Sequence, residues 1–272
     1  MLMSKAEKMF SLFVMLPQKP REFYDRVAAV IEVQLEPYFH QHPHYQAGDW
    51  KTVLGGLNQS LRANLEDCMR EPALQEIEAA VRQGLAAMPA DAPFASHHNG
   101  DFYLGKLCYA LTRIKRPQTI VETGVCYGVT SSFILKALEV NGAGRLHSID
   151  LPPLGKNQDQ FVGWLIPQSL RGRWKLYRGS SKAVMPKVLE GNGKIDFFIH
   201  DSLHTYRNMR REFEMVAPYL SPGSVVVADD VEGNSAFQEW IAKVTPAYAA
   251  VLQEQSKRQS LLGVAVYDGV SR

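Results

Sequence analysis

The stretch TIVETGVCYGVTSS, Thr119–Ser132, decides how this chain of 272 residues is read. It opens on a short apolar run, passes Gly124 and Gly128, and leads into a helical pattern over 131–139. A strand that ends in a glycine-bearing turn and starts a helix is the first half of a strand–helix–strand unit. The same alternation recurs downstream. RLHSID precedes a helical pattern at 158–170, WKLYRG one at 181–189, IDFFIH one at 205–220 and SVVVADD one at 235–244. The last two runs, AAVLQE and LLGVAVYD, are separated by QSKRQS and read as a β-hairpin ending the sheet. The expectation is an α/β fold, with a Rossmann-like, mostly parallel sheet of seven strands and helices on both faces.

Upstream the texture is helical. Phe23, Val27, Val30, Ile31 and Leu35 recur at helical spacing, as do Leu74, Ile77, Val81 and Leu85. Gln46–Asp49 reads as a turn before a helix opened by Trp50 and Leu54. MPADAPFASHHNGD, residues 88–101, reads as a connector, and residues 103–113 as a further helix. The division expected is a helical region over 1–99, serving as lid or oligomer contact, and a catalytic domain over 100–272.

Bulk composition narrows the function classes. Hydrophobic residues make up 46% and charged residues 21%, which is ordinary for a globular protein. The net charge of +2 gives no basic footprint for nucleic acid. Cys68, Cys108 and Cys126 are odd in number and form no CxxC, so neither a disulfide framework nor a zinc knuckle is expected, and a cytoplasmic location fits. The opening MLMSKAEKMFSLFVMLPQKP carries a short apolar run, 9–16, without a small-x-small cleavage site. That run is too short to span a bilayer and is read as a helix packing on its own domain or on a second subunit of a homo-oligomer, with export or membrane docking as the competing reading.

In a parallel sheet with helices on both faces, ligands lie outside the carboxyl ends of the strands. The first strand ends in E-x-G-x-x-x-G, not G-x-G-x-x-G, so the dinucleotide fingerprint is absent. A ligand loop and a bare turn both fit that pattern. The second strand ends in Asp150, an acid suited to accept both hydroxyls of a ribose or to cap a turn. The third ends in Gly179-Ser180-Ser181. Ser181 reads as a helix N-cap, and Ser180 is open to an adenine edge. The fourth ends in His200-Asp201 and the fifth in Asp229-Asp230. Three carboxylates at one edge repel unless a cation lies among them, and an all-oxygen set suits Mg²⁺. The competing role for Asp229 or Asp230 is a turn cap. His204, three residues beyond Asp201, suits a general base, or a structural hydrogen bond in the first turn of a helix. His200 is read as a core position, and His97 and His98 as solvated.

VETGVCYGVTSS, LHSIDLPP, HDSLHTY and VVVADD, in this order and at these spacings, resemble class I S-adenosylmethionine-dependent O-methyltransferases. The branch is methyltransferase family 24, which includes macrocin O-methyltransferase and cephalosporin-hydroxylase-like proteins, and the resemblance runs over roughly 100–268. It implies a pocket shaped by Glu122 and Gly124 for the amino acid part of S-adenosylmethionine, with Asp150 on the ribose. Tyr127, Gly128, Ser131, Ser180 and Asp201 complete the expected cofactor contacts. The same resemblance implies Mg²⁺ on Asp201, Asp229 and Asp230, with Asp201 and His204 as the catalytic pair. The acceptor it favours is a hydroxyl of a sugar, glycan or glycosylated natural product. Tyr206, Trp164, Trp174 and Trp240, or Tyr24, Tyr38, His40 and Trp50 of the helical region, are candidates to line its site. The competing readings are a nicotinamide-linked oxidoreductase and a non-catalytic, cofactor-binding regulator. A nucleic-acid methyltransferase is disfavoured, because the chain has no Asn-Pro-Pro-Tyr loop, Pro-Cys nucleophile or basic stripe.

Overall fold

The computed structural model describes residues 5–39, 43–89, 92–93, 102–155, 158–253 and 260–269. His40, His97 and His98 lie outside them. Five strands form the parallel part of the sheet: β2 (Thr119–Thr123), β3 (Arg145–Asp150), β4 (Trp174–Arg178), β5 (Ile195–His200) and β6 (Leu220–Ala228). The hairpin β7 (Tyr248–Gln253) and β8 (Leu261–Val266) closes it, with β8 antiparallel to both β6 and β7. An eighth, two-residue strand, β1 (Ala47–Gly48), adds parallel to β7. It lies in the segment read from sequence as a turn, because two residues are too few to set an alternating pattern. The order is β1-β7-β8-β6-β5-β2-β3-β4. The chain reverses direction of travel across the sheet at β2, so the crevice between the ends of β2 and β5 is the topological switch point.

The central strands β2, β5 and β6 are buried on both faces over most of their length, which is why they read as apolar runs, whereas the edge strand β4 exposes Lys175 and Leu176. Successive side chains point to opposite sides. Ile120, Phe197, Ile199, Val225 and Val227 join one core with helices α3 (Trp50–Leu61), α4 (Leu65–Met69), α5 (Pro72–Ala86), α6 (Phe102–Lys115) and α7 (Val129–Asn141). Val121, Phe198, Val226 and Ala228 join the other with α8 (Ser181–Asn192), α9 (Tyr206–Val216) and α10 (Ala236–Val244). Each such Phe or Val stabilises the fold by roughly 1.5–3 kcal/mol relative to exposure.

Three sequence expectations change. The helix expected over 158–170 is two 3₁₀ turns, Gln158–Phe161 and Gln168–Arg173, since Gly163 at φ 68° and Pro167 interrupt it. The N-cap of α8 is Ser180, whose hydroxyl accepts from the Ala183 amide at 3.2 Å, not Ser181. The third change concerns α2 (Pro20–Phe39), which follows α1 (Lys5–Met15). Its helical spacing is as read, but Val30 and Ile31 point to solvent, and the face carrying Glu22, Asp25, Arg26, Glu32 and Glu36 turns inward. The surface beneath offers Arg178, Arg211 and a helix N-terminus, so charge complementarity orients the helix.

Candidate active site

The loop after β2 makes the closest backbone approach in the site. Gly124 sits at φ 83°, and a Cβ there would fall 1.7 Å from the Asp201 carbonyl oxygen. The Asp201 amide donates to the Thr123 carbonyl at 2.8 Å, and the Gly124 amide to the Ile149 carbonyl at 2.9 Å. Three strand ends are thereby stitched together at one edge. Gly128, at φ 87°, starts α7, and a Cβ there would meet Gly163 and Ile166 at 2.9 Å. Only glycine reaches these conformations at no steric cost.

Glu122 is fully buried. Its Oε2 accepts from Ser131 Oγ at 2.7 Å and Ser148 Oγ at 2.6 Å, while its Oε1 makes no hydrogen bond. Burial pushes its carboxyl up to about 8 against the pull of those two hydroxyls. Tyr127 packs in the core beside the same loop. Asp150 Oδ2 accepts from the Val125 and Cys126 amides at 2.7 and 3.0 Å, so one of its oxygens braces the glycine loop. Burial raises its pKa, with the two amides and the cations of Arg26 and Arg178 opposing. Ser180, besides capping α8, donates to Asp25 Oδ2 at 2.9 Å.

At the ends of β5 and β6 the acids and histidines sort into two sets. His200 is core, as read. Its Nδ1 lies 2.7 Å from Glu212 Oε2, and both side chains are fully buried. Thr123 Oγ1 donates to the same carboxylate at 2.6 Å, Ser202 Oγ at 2.8 Å and Asn208 Nδ2 at 3.0 Å. Burial alone would raise Glu212, but His200 and the neighbouring hydroxyls hold it at about 2.

The second set lies on the rim. Asp201, His204 and Asp229 each offer a ligand atom within 4.8 Å of the others, the kind of cluster that holds a metal ion. His204 Nε2 is 3.7 Å from Asp201 Oδ1 and makes no hydrogen bond, while Nδ1 is 2.8 Å from Asp230 Oδ2. Asp229 is 2% exposed and its Oδ1 makes no hydrogen bond. Burial and the charge of Asp229 raise Asp201. Burial would depress His204, but the neighbouring carboxylates of Asp201 and Asp230, with the charge of Asp229, lift it to about 10. Such a cluster is short of positive charge, and a divalent cation fits it chemically.

Over this edge lies α2. Arg26 donates to the Pro152 carbonyl at 2.7 Å beyond β3, and Glu22 meets Arg178 Nη1 at 2.5 Å at the end of β4. Glu32 pairs with Arg211 at 2.8 Å, and Glu36 accepts from the Tyr206 amide at 2.8 Å. Sequence reading missed this strap. Its signal was present as acids at 22, 25, 32 and 36 on one helical face. Of the aromatic candidates, Trp240 packs in the core against Phe213 and Phe237, and Trp174 donates to Ser148 Oγ at 2.9 Å. Tyr206 donates to Glu239, and Trp50 packs edge-on against Tyr103. Trp164, Tyr24 and Tyr38 are exposed, Tyr38 to 82%.

Residues 121–231 match the family model described as a methyltransferase domain. Among solved structures, the O-methyltransferase from Bacillus cereus, crystallised with S-adenosylhomocysteine, aligns with 80% of this chain and 98% of its own. Its identity is 17% and its TM-score 0.52. TomG of Streptomyces achromogenes, an O-methyltransferase involved in tomaymycin synthesis and solved with S-adenosylmethionine, aligns over 80% and 97% of the two chains. Its identity is 17% and its TM-score 0.50. The Podospora anserina methyltransferase PaMTH1, bound to S-adenosylhomocysteine, aligns over 83% and 100%, at 12% identity and a TM-score of 0.50. At such identities the likeness is one of fold. No curated protein matches the chain. Among the described residues, no helix is long and apolar enough to cross a membrane. The family match spans β2 through β6 and the turn beyond, and it marks residues 121–231 as a methyltransferase domain.

Proposed function

We propose that this domain methylates a hydroxyl of a sugar, glycan or glycosylated natural product, using S-adenosylmethionine and a divalent cation, Mg²⁺. One observation carries the reading: the glycine loop, Asp150 and an acid–histidine cluster share one strand-end edge at the topological switch point. S-adenosylmethionine supplies, when bound, a methyl made electrophilic by its sulfonium. Mg²⁺ supplies, when bound, Lewis acidity that eases loss of the acceptor's proton.

The chain's own residues do the rest. Gly124 and Gly128 let the loop backbone approach the cofactor closely, and Asp150 holds both that loop and a ribose. Glu122, Tyr127, Ser131 and Ser180 shape or brace the same pocket. The acidic wall of Asp201, Asp229 and Asp230 supplies the negative charge that draws the cation to this edge. His204 Nε2 faces that wall without a hydrogen-bond partner, and with a cation offsetting the acids that hold the ring protonated it would be the atom to receive the acceptor's proton. Holding acceptor and methyl donor in line contributes much of the remaining acceleration.

Helices α3–α5 join the main core, so within the helical N-terminal region the lid is α2, lying across the strand ends. The outer faces of α1 and α2 expose Met9, Phe10, Phe13, Val14, Val30 and Ile31, which supports a homo-oligomer. A cytoplasmic enzyme is in keeping with three free cysteines.

Calorimetry with S-adenosylmethionine and NAD⁺, each with and without Mg²⁺, tests the reading. Binding of S-adenosylmethionine alone is expected, and it licenses a screen of glycosylated acceptors for methyl transfer. A folded, cofactor-stripped sample that binds NAD⁺ or neither ligand would sink it.

A further inference from the structure

The paired acids after β6 are adjacent in sequence but point to different tasks. Asp229 directly follows the strand, its amide donating to the His200 carbonyl at 2.9 Å. Its side chain is buried at the strand end, with Oδ1 making no hydrogen bond. Asp230 then turns into the left-handed region, φ 49° and ψ 42°. That conformation costs a non-glycine residue roughly 1–2 kcal/mol, less for Asp than for most. It brings Oδ2 to 2.8 Å from His204 Nδ1. The same turn grips His204 a second time. Asn234, fully buried, donates from Nδ2 to the His204 carbonyl at 3.2 Å, while its Oδ1 accepts from the Ala236 amide at 3.0 Å. Ring and backbone of His204 are therefore both held from the β6–α10 connection.

A carboxylate on one ring nitrogen of a histidine fixes the ring's orientation and leaves the other nitrogen for chemistry. We infer that Asp230 is a positioning residue for His204: it holds Nδ1–H and presents Nε2 to the cluster, while Asp201 and Asp229 are the carboxylates that face the cation. This rests on the cation-assisted reading above and gives the three acids unequal roles.

Titration calorimetry with Mn²⁺ as the probe, on the full chain and on D229N, D230N and D230A, separates those roles. D229N is expected to weaken Mn²⁺ at least 30-fold, and D230N and D230A by less than threefold. A loss in D230A equal to that in D229N makes Asp230 a ligand and overturns the inference. A second measurement needs no metal. In protein labelled with ¹⁵N-histidine, His204 is expected to give a slowly exchanging, downfield proton on Nδ1. H204Q assigns the signal; D230N keeps it in weakened form and D230A abolishes it. Its persistence in D230A would refute the positioning role. Failure of the wild type to bind Mn²⁺ with the Nδ1 signal intact would instead count against the cation reading alone.

Discussion

His200 and His204 stand four residues apart on one segment, with ring centroids 5.5 Å apart, yet their carboxylate partners live in opposite conditions. Glu212, beside His200, has donors from Thr123, Ser202 and Asn208, and its pKa falls to about 2. Asp201, beside His204, faces two further acids, and its pKa rises. Both sets use the same chemical groups. A polar cluster whose lone pairs are satisfied from within stabilises one conformation. A cluster of like charge, short of donors, is stable only by virtue of what it binds. The first set belongs to the fold and the second to the chemistry.

The largest effect that tests this contrast falls on the first set. Glu212→Ala leaves His200 buried without its partner and is expected to cost about 3–5 kcal/mol of folding stability, read from urea unfolding. A loss below about 1 kcal/mol would erase the distinction between the two sets. The pH dependence is next. Glu212 has a folded pKa near 2, below the ordinary 4.5. The native state therefore binds fewer protons than the unfolded one between those values. Its contribution is complete above 4.5 and is lost as pH falls toward 2. Wild-type stability is expected to drop over that window, and Glu212→Gln to flatten the drop. An acid limb of the same steepness in Glu212→Gln would assign it to other groups.

The rim set is expected to answer differently to the same kind of change. Asp229→Asn removes one of the mutually repelling charges, so in chelator the folding stability stays within about 1 kcal/mol of wild type. Mg²⁺, which raises the melting temperature of the wild type by mass action, is expected to do nothing for the variant. A variant that unfolds as readily as Glu212→Ala would show Asp229 to be structural.

What the sequence made legible follows the same line. The strand runs are buried on both faces, so IDFFIH and SVVVADD announced themselves by composition, and Asp150, Asp201, Asp229 and Asp230 followed as strand ends. Glu212 was not legible as a buried carboxylate. It sits in the charged run RNMRREFE, where acids are usually solvated, and only the tertiary placement of His200 and Thr123 encloses it. The 3₁₀ turns at 158–173 were missed because helical apolar spacing outweighed Gly163 and Pro167 in the reading. The spacing of α2 was legible, but which of its faces turns inward was not. The surface under α2 is the charged strand-end edge, which inverts the usual rule that apolar residues turn to the core.

That inversion supplies the smallest effect and the finest test. The strap is satisfied, like the His200 set, but it lies at the rim, like the His204 set. Its pairs are partly solvated, so each is worth about 0.2–1 kcal/mol and global unfolding should scarcely register one. Arg211→Gln, which breaks the pair with Glu32, is expected to leave the melting temperature nearly unchanged. Local opening is governed by a few such contacts and not by the core, so amide exchange across 20–39 is expected to quicken several-fold while β5 and β6 stay protected. If α2 covers the strand ends as a lid, the same variant also releases bound S-adenosylmethionine faster. Faster exchange with an unaltered release rate would keep α2 as a docked helix and remove it from the path of the cofactor.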